Sequence, residues 1–334
     1  MPFDLQSPVR TIQAAADVPG PRPRRAPVGR AVAVALAVVL SAAALSTAGC
    51  RSGSGDAADA QAAGTGRAIQ NKGSDTLVNL ALAWAEAYRG VAPDVSIAVT
   101  GGGSGTGIAA LVNGTVDIAN ASREMKDEEM AEARAKGMDP QEFVVAIDAL
   151  AVVVHPSNPV DRLTVDQLAD LFSGRATNWR DVGGRDAPVV LVSRETNSGT
   201  HVYFLEEVVR KGDADNPDIF APQTLLMPSS VGITSEVQRN PNAIGYDGLG
   251  YVNPAHEKLV AVGRGGSAPY VVPSVASGAD GSYPIARNLY MYTAHPPTGA
   301  IAAYLDWVRG PHGQRIVADL GFVPLPNGPD GAAP

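Results

Sequence analysis

Short apolar runs rich in β-branched residues alternate along this 334-residue chain with segments whose apolar residues recur at helical spacing. The run at 188–192 predicts a buried strand, and the pattern across 201–211 predicts a helix directly after it. The same succession of strand, polar turn and helix begins near residue 69 and again near residue 95. Repeated strand–helix units predict an α/β fold.

Two segments are more continuously apolar and extended than the rest. Residues 143–155 form a long apolar run, and residues 287–293 form a shorter one near the end of the chain. We interpret the first as a strand that crosses between two lobes and the second as a strand that returns to the first lobe. A chain of this length can bury two separate cores.

The first 49 residues have the pattern of a secretory signal peptide. Arginines precede an apolar run at 31–45 that is too short to span a bilayer comfortably, and small residues follow it. Thr47-Ala48-Gly49-Cys50 resembles a bacterial lipobox, with Thr47 where leucine is most frequent. This pattern predicts lipidation of Cys50 and anchoring to the membrane, with residues 50–67 as the lipidated cysteine and a flexible tether.

Charge and cysteine content limit the classes of partner. The net charge is −8, and the first 49 residues carry five arginines against two aspartates, so their removal leaves −11. An acidic surface argues against nucleic acid as a partner but not against a small anion, which responds to the local field of a pocket. With Cys50 as the single cysteine, the mature chain has no disulfide.

Three predicted strand–turn–helix units carry serine and threonine at the start of the helix. The pairs are Ser74 with Thr76, Ser104 with Thr106, and Ser198 with Thr200. Such residues are common helix caps, so one pair alone is an ordinary turn. Three free helix N-termini that converge, with Arg123 and Arg194 beside them, would surround a tetrahedral oxyanion with donors.

Other kinds of site find little support. The glycine-rich loop at 101–107 matches neither a P-loop nor the dinucleotide fingerprint. The five histidines are scattered without metal-ligand spacing, and we expect most of them at the surface or in loops. His201 is predicted to lie in the first turn of a helix. The sequence therefore predicts no metal, no cofactor and no catalytic residue.

From about residue 69 to residue 325 the chain resembles the phosphate-binding proteins of bacterial high-affinity phosphate ABC transporters. The matching stretches are Gly73-Ser74-Asp75-Thr76, Gly102-Gly103-Ser104-Gly105-Thr106, Asp117-Ile118-Ala119-Asn120-Ala121-Ser122-Arg123, Arg194-Glu195, Ser198-Gly199-Thr200, Ala243-Ile244-Gly245-Tyr246 and Gly250-Tyr251-Val252. The resemblance implies a type II periplasmic binding protein fold, an α/β fold whose two lobes are joined by two crossing strands around a cleft. We expect residues 68–150 and 271–330 in lobe 1 and 151–270 in lobe 2.

The resemblance also implies the binding residues. They are Ser74, Thr76, Ser104, Gly105, Arg194, Ser198, Gly199 and Thr200, with Asp75, Thr106 and Glu195 around them. We add Arg123 to the binding residues because its positive charge lies beside the predicted turns and attracts anions. In this scheme Arg194 forms a bidentate link to phosphate, and the turn at 198–200 supplies amides and hydroxyls.

The chain departs from part of the family at Arg123, where some members have an aspartate that accepts the proton of hydrogen phosphate. Phosphate keeps a proton near neutral pH and sulfate does not, so a carboxylate acceptor distinguishes the two. Asp75 or Glu195 could replace that aspartate. Arg123 would either contact the anion or pair with one of these two carboxylates.

The resemblance implies an exported monomer that captures inorganic phosphate at the outer face of the cell membrane or in the periplasm and delivers it to a permease. Two alternatives remain open at this point. A binder of sulfate or molybdate would use the same donors, and a phosphatase would need a base within reach of a serine in the cleft.

Overall fold

The computed structural model describes residues 68–326. The predicted signal peptide, Cys50 and the predicted tether lie outside the described residues. Between residues 68 and 326, none of the helices combines the length and the apolar composition that crossing a bilayer requires.

Eleven strands are present in the described part of the chain. They are β1 (Ile69–Gly73), β2 (Ile97–Thr100), β3 (Ile118–Ala121), β4 (Gln141–Val154), β5 (Arg162–Thr164), β6 (Val190–Arg194), β7 (Leu225–Met227), β8 (Ala243–Gly248), β9 (Lys258–Leu259), β10 (Ala261–Gly263) and β11 (Ala286–Thr293). Nine of them form one sheet in the order β2-β1-β3-β11-β4-β8-β6-β7, with β9 also paired to β4. β1 runs parallel to β2 and β3, and β6 runs parallel to β7 and β8.

The α-helices cover the rest of the regular structure, with short 3₁₀ turns between some elements. They are α1 (Val78–Tyr88), α2 (Ser104–Val112), α3 (Asp127–Ala135), α4 (Val165–Phe172), α5 (Gly199–Phe204), α6 (Ser230–Arg239), α7 (Val275–Ala279), α8 (Gly299–Arg309) and α9 (Pro311–Asp319). The predicted helix at 201–211 is α5 continued by a π-helical turn at Leu205–Val209. Part of the predicted glycine loop is helical, because α2 already begins at Ser104.

The predicted first crossing strand is confirmed as the single strand β4. Its first part, from Gln141 to Ala149, pairs with β11, and its second part, from Leu150 to Val154, pairs with β8. Both pairings are antiparallel, so β4 and β11 separate one group of parallel strands from the other. The chain is thus a two-lobe α/β fold with the crossing strands in the middle of its sheet.

The buried apolar residues change neighbours at the same point of β4. One large cluster contains Trp84, Val145 and Leu289, whereas another contains Leu150 and Trp179. The two tryptophans are fully buried, and their indole N–H groups donate to the carbonyl oxygens of residues 313 and 242 at 2.9 and 3.0 Å. Both act as core residues, as expected for large aromatic side chains with a satisfied polar atom.

The exact limits of the lobes remain a prediction. Tyr283 and Ile285, which lie in the segment assigned to lobe 1, pack in the cluster of Leu150 and Trp179. The chain therefore approaches the crossing point from the second core before it enters β11.

Close approach between elements explains one glycine of the first unit. Gly73 has a φ of +145°, and a Cβ built on it would lie 2.1 Å from the carbonyl oxygen of Asn120. Only glycine tolerates both conditions. Gly73 thus lets β1 approach the end of β3, which brings the turn after β1 next to Ser122.

Candidate functional site

The three predicted turns lie where strands lead into helices. Thr76 lies in a 3₁₀ turn between β1 and α1, and Ser104 is the first residue of α2. Ser198 caps α5, where its Oγ accepts from the Thr200 amide at 3.2 Å. Backbone amides at these helix starts lack partners within their own helix, so each start presents donors.

Hydroxyl groups from these turns meet in a buried group that we call the hydroxyl cluster. Its members are Ser74, Thr76, Ser104, Ser122 and Thr200. Ser122 Oγ lies 3.0 Å from Ser74 Oγ and 3.3 Å from Ser104 Oγ. Thr76 Oγ1 lies 2.9 Å from Thr200 Oγ1, across 124 positions of sequence. The structure therefore brings together hydroxyls from all three turns.

The α5 N-terminus approaches the other two turns very closely. A Cβ on Gly199 would lie 2.4 Å from Ser104 Oγ and 2.7 Å from Ser122 Oγ. Gly105 also donates its amide to the carbonyl oxygen of Asn197 at 3.0 Å. Asn197 in turn donates through Nδ2 to the Gly102 carbonyl at 3.0 Å. The glycines predicted for the site thus permit backbone contacts that a side chain would block.

Arg194 is the last residue of β6, and it is only 1% exposed. Its Nη2 donates to Asp75 Oδ2 at 2.6 Å, and its Nη1 donates to Ser230 Oγ at 3.3 Å. Its remaining partners are the carbonyl oxygens of Met227 and Pro228, at 3.2 and 3.1 Å. Charge-assisted bonds of this kind hold a guanidinium in one orientation beside the site.

Asp75 adds a carboxylate to the site. It is one of the two residues that the sequence offered in place of the family aspartate. Its Oδ1 accepts from the Gly102 amide at 3.3 Å, and its backbone oxygen accepts from Tyr251 Oη at 2.6 Å. Glu195, the other alternative, is exposed. The structure thus places Asp75, and not Glu195, between the Arg194 guanidinium and the glycine loop.

Arg123 pairs with neither of the carboxylates that the sequence suggested. Its Nη1 and Nη2 donate to the two oxygens of Glu129 in α3 at 2.8 and 2.7 Å. Burial alone would raise the pKa of Glu129. The hydrogen bonds from Arg123 and from the Lys126 amide together outweigh this effect, so the pKa is lowered overall. Arg123 remains near the site, because its Nη2 lies 3.8 Å from the position of a Cβ on Gly105.

A second arginine reaches the hydroxyl cluster from the crossing strands. Arg287 in β11 donates from Nη2 to Asp148 Oδ2 and to Thr200 Oγ1, both at 2.9 Å. Because a guanidinium has no acceptor, Thr200 must accept this bond, which leaves its own proton for Thr76 or for a ligand. The sequence patterns did not predict this pair. The signal for it in the sequence was a charged residue in each predicted crossing strand, Asp148 in one and Arg287 in the other.

A second fully buried carboxylate, after that of Asp148, lies behind Arg194. Asp247 accepts at Oδ1 from Ser230 Oγ at 2.9 Å and from the Gly248 amide at 2.8 Å. Burial raises the pKa of Asp247 to about 7, against the opposing effects of the Arg194 charge and of these two hydrogen bonds. Ser230 therefore links the guanidinium of Arg194 to a carboxyl that titrates near neutrality.

His201 lies in the first turn of α5, as predicted, and it is buried. Its Nδ1 lies 3.1 Å from Ser193 Oγ, and its ring packs 4.5 Å from that of Phe220. Burial lowers the pKa of His201, so the ring is neutral at pH 7. Its contacts are those of a core residue rather than of a ligand-binding group.

The described residues contain no group of three or more histidine, cysteine, aspartate or glutamate side chains that could hold a metal ion. What they do contain is a buried set of hydroxyls, with the starts of α2 and α5 and the three arginines Arg123, Arg194 and Arg287 beside it. Such a set supplies many donors in a small volume, which suits a compact oxyanion.

Comparison with known proteins agrees with this geometry. Residues 57–311 match the family model described as a PBP superfamily domain. The phosphate-binding protein PstS of Pseudomonas aeruginosa is 35% identical over 283 residues, which cover 80% of this chain and 85% of that protein. PstS of Bacillus subtilis is 32% identical over 254 residues, which cover 76% of this chain and 79% of that protein.

Solved structures show the same similarity. A crystal structure from Clostridium perfringens, described as a phosphate ABC transporter substrate-binding protein with bound phosphate, superposes with a TM-score of 0.68 at 32% identity. The match covers 78% of this chain and all of that one. An ABC-type phosphate transport receptor from Vibrio cholerae superposes with a TM-score of 0.61 at 27% identity, covering 76% of this chain and 99% of that one.

Proposed function

Because the chain belongs to the PstS-type phosphate-binding proteins of the PBP superfamily, we propose that it binds inorganic phosphate between its lobes and delivers it to the permease of an ABC transporter. The observation that carries the proposal is the hydroxyl cluster, in which three turns distant in sequence present their donors to one another. Arg194 beside the cluster supplies the positive charge that a phosphate dianion requires.

In this proposal each predicted residue has a physical role. The hydroxyls of the cluster donate to the phosphate oxygens, and Arg194 donates as a planar fork. The starts of α2 and α5 contribute amides other than those of Gly105 and Thr200, which already bond Asn197 and Ser198. Gly105 and Gly199 keep the backbone close, and Ser198 orders the amide of Thr200. Arg123 contributes its charge at the edge of the site while Glu129 holds its guanidinium.

We propose Asp75 as the group that accepts the proton of hydrogen phosphate. Its carboxylate lies 2.6 Å from Arg194, whereas the side chain of Glu195 is exposed. A carboxylate acceptor disfavours sulfate, which has no proton to donate near neutral pH. This arrangement would preserve selectivity for phosphate although Arg123 replaces the aspartate found in part of the family.

We also propose that the protein is an exported monomer, anchored by lipid at Cys50 to the outer face of the membrane, and that it is not an enzyme. The lipobox-like stretch before Cys50 supports the anchor. The relatives are phosphate-binding proteins of transport systems. A chromogenic phosphate monoester that the purified protein leaves intact, at saturating concentration, would agree with this; sustained turnover would contradict it.

The proposed function is tested by isothermal titration calorimetry of the purified protein with phosphate at pH 7, repeated in excess sulfate or molybdate. We expect one phosphate site whose affinity excess sulfate leaves unchanged. Competition by sulfate would instead identify a general binder of oxyanions. Absence of phosphate binding would contradict the proposal.

A further inference from the structure

Asn197 connects the turn after β6 to the glycine-rich loop after β2 and to the first turn of α2. Its Nδ2 donates to the Gly102 carbonyl oxygen at 3.0 Å and to Thr106 Oγ1 at 3.3 Å. Its own carbonyl oxygen accepts from the Gly105 amide at 3.0 Å. β2 and β6 lie on opposite sides of the crossing strands β4 and β11 in the strand order. These three hydrogen bonds, which we call the Asn197 contact, therefore join the two lobes.

The glycine-rich loop fits the asparagine closely. Gly103 has a φ of +88°, and a Cβ built on it would lie 2.8 Å from the carbonyl oxygen of Asn197. Only glycine combines this backbone conformation with so close an approach. The two hydrogens of the Asn197 amide nitrogen match the two acceptors, Gly102 and Thr106, that face it. Both the backbone and the side chain of Asn197 thus take part in the contact.

The Asn197 side chain lies outside the set of groups that the proposed function assigns to phosphate. Within the described residues its hydrogen bonds go to Gly102 and Thr106, and none goes to the hydroxyl cluster or to Arg194. Thr76 and Thr200 also bond each other between the lobes, but their hydroxyls are proposed donors to the anion. A bound phosphate would compete for such hydroxyls, whereas the Asn197 contact can persist beside it.

The hydroxyl cluster is closed to solvent while the Asn197 contact is made. Ser104 and Thr200 are each 0% exposed, so an ion from solution reaches them only after the turns of the two lobes have moved apart. This movement breaks the three bonds of Asn197 together. The contact therefore stabilises the closed form of the cleft and contributes nothing to the open form.

From this geometry we propose that Asn197 is a positioning residue that stabilises the closed cleft and sets how long a bound phosphate is retained. The inference rests on the proposed function and adds a kinetic role for a residue outside the binding set. Phosphate enters the open form, so loss of the contact leaves the association rate unchanged. Release requires opening, so it becomes faster.

The first test replaces Asn197 by leucine, which is close to asparagine in shape and has no amide. Protein loaded with radioactive phosphate is mixed with excess unlabelled phosphate, and the retained label is followed in time. We expect Asn197→Leu to release phosphate about tenfold faster, because two hydrogen bonds of the closed form are lost. Its association rate should stay within about a factor of two of the natural value. A merely structural fault in the turn would slow association as well, and that result or unchanged release would overturn the proposal.

Asn113→Leu is the matched control for this substitution. Asn113 is exposed at the other end of α2, and its Oδ1 accepts from Lys136 Nζ at 2.9 Å within the same lobe. The control should release phosphate at the natural rate, and equally fast release from both asparagine variants would contradict the role of Asn197. Phosphate binding by the natural protein is measured first. Its absence would contradict the proposed function, whereas binding with unchanged release from Asn197→Leu would contradict this inference alone.

A second variant tests whether the contact itself produces the effect. Thr106→Val keeps the shape of the side chain and removes the hydroxyl that accepts from Asn197. It should make release about threefold faster in the natural protein and have a smaller effect in Asn197→Leu, where the shared bond is already absent. Equal effects of Thr106→Val in both backgrounds would show that the two residues act independently and would overturn the assignment.

Discussion

The two buried arginine–aspartate pairs of the site differ in what they connect. Arg194 meets Asp75 across 119 positions of sequence, and the side chain of Asp75 is 18% exposed. Arg287 and Asp148 are register partners on neighbouring strands, with side chains 3% and 0% exposed. The first pair joins two parts of the cleft, whereas the second belongs to the framework that carries it. The role of a buried ion pair is therefore inferred from the elements that the pair joins, and not from the presence of the pair.

The largest effect should follow from breaking the framework pair. Asp148→Ala leaves Arg287 buried with Thr200 as its remaining partner, and removing one partner of a buried pair costs about 3 to 5 kcal/mol. Asp75→Ala should cost clearly less, because Arg194 keeps acceptors at Met227, Pro228 and Ser230. Urea denaturation of both variants measures the difference in the free energy of unfolding.

The double variant Asp148→Ala with Arg287→Met is the control for this comparison. It removes the uncompensated charge together with its partner, so it should recover part of the stability lost by Asp148→Ala. A larger loss for Asp75→Ala than for Asp148→Ala would reverse our assignment of the two pairs.

The second effect should appear in ligand binding. Arg194→Met removes the charge beside the hydroxyl cluster and should weaken phosphate binding by about 100-fold, in line with hydrogen bonds to charged groups. Arg194→Lys should recover only part of this, since an ammonium cannot replace the planar fork. Calorimetric titration measures both. Arg89→Lys, in an exposed ion pair with Glu86, is the control and should bind as the natural protein does.

Gly199→Ala should have a smaller effect on the same titration. The new methyl group would lie 2.4 Å from Ser104 Oγ, so α5 or α2 must move, and we expect about tenfold weaker phosphate binding. Gly90→Ala is the matched control, because the nearest atom to its Cβ is the Ala87 carbonyl oxygen at 3.4 Å. Equal affinities of the two variants would show that the close approach does not matter for binding.

The most gradual effect concerns the pH dependence of stability, which changes by no more than about 1.4 kcal/mol per pH unit. Burial raises the pKa of Asp247 to about 7, so between about pH 4 and pH 7 the folded state binds more protons than the unfolded state. This contribution to stability is present at low pH and is lost as the pH rises through 7. Relative to Asp247→Asn, the natural protein should lose up to about 1.4 kcal/mol per pH unit in that range. Parallel pH profiles in urea denaturation would contradict the raised pKa.

The sequence predicted those strands and helices that depend on residues close together along the chain. Strand β4 was expected at 143–155 because its apolar run is long, and it occupies Gln141–Val154. The helices after β2 and β6 follow from turn residues that directly succeed strands, although α2 begins at Ser104, inside the predicted glycine loop. These are short-range properties, which the spacing of apolar residues and the presence of glycine determine.

The partners of the charged residues could not be predicted in the same way. Glu129 lies in α3 among charged residues that are mostly exposed, yet it holds Arg123 in a bidentate pair. His201 has the sequence context of a helix start, but packing against Phe220 buries it. Such pairings depend on which elements meet in three dimensions. The spacing of residues along one helix does not predict which other element packs against it.

The junction in β4 has a consequence for how the molecule can deform. β4 changes its partner between Ala149 and Leu150, and the Leu150 amide donates to the carbonyl oxygen of Ile285 at 2.8 Å, so the two connections between the sheet halves run side by side. Two adjacent chains can bend about an axis that passes through both while their shared hydrogen bonds stay intact. Shear along the strands or separation of the two chains would break those bonds. The two connections therefore favour bending of the halves about this axis over sliding or separation.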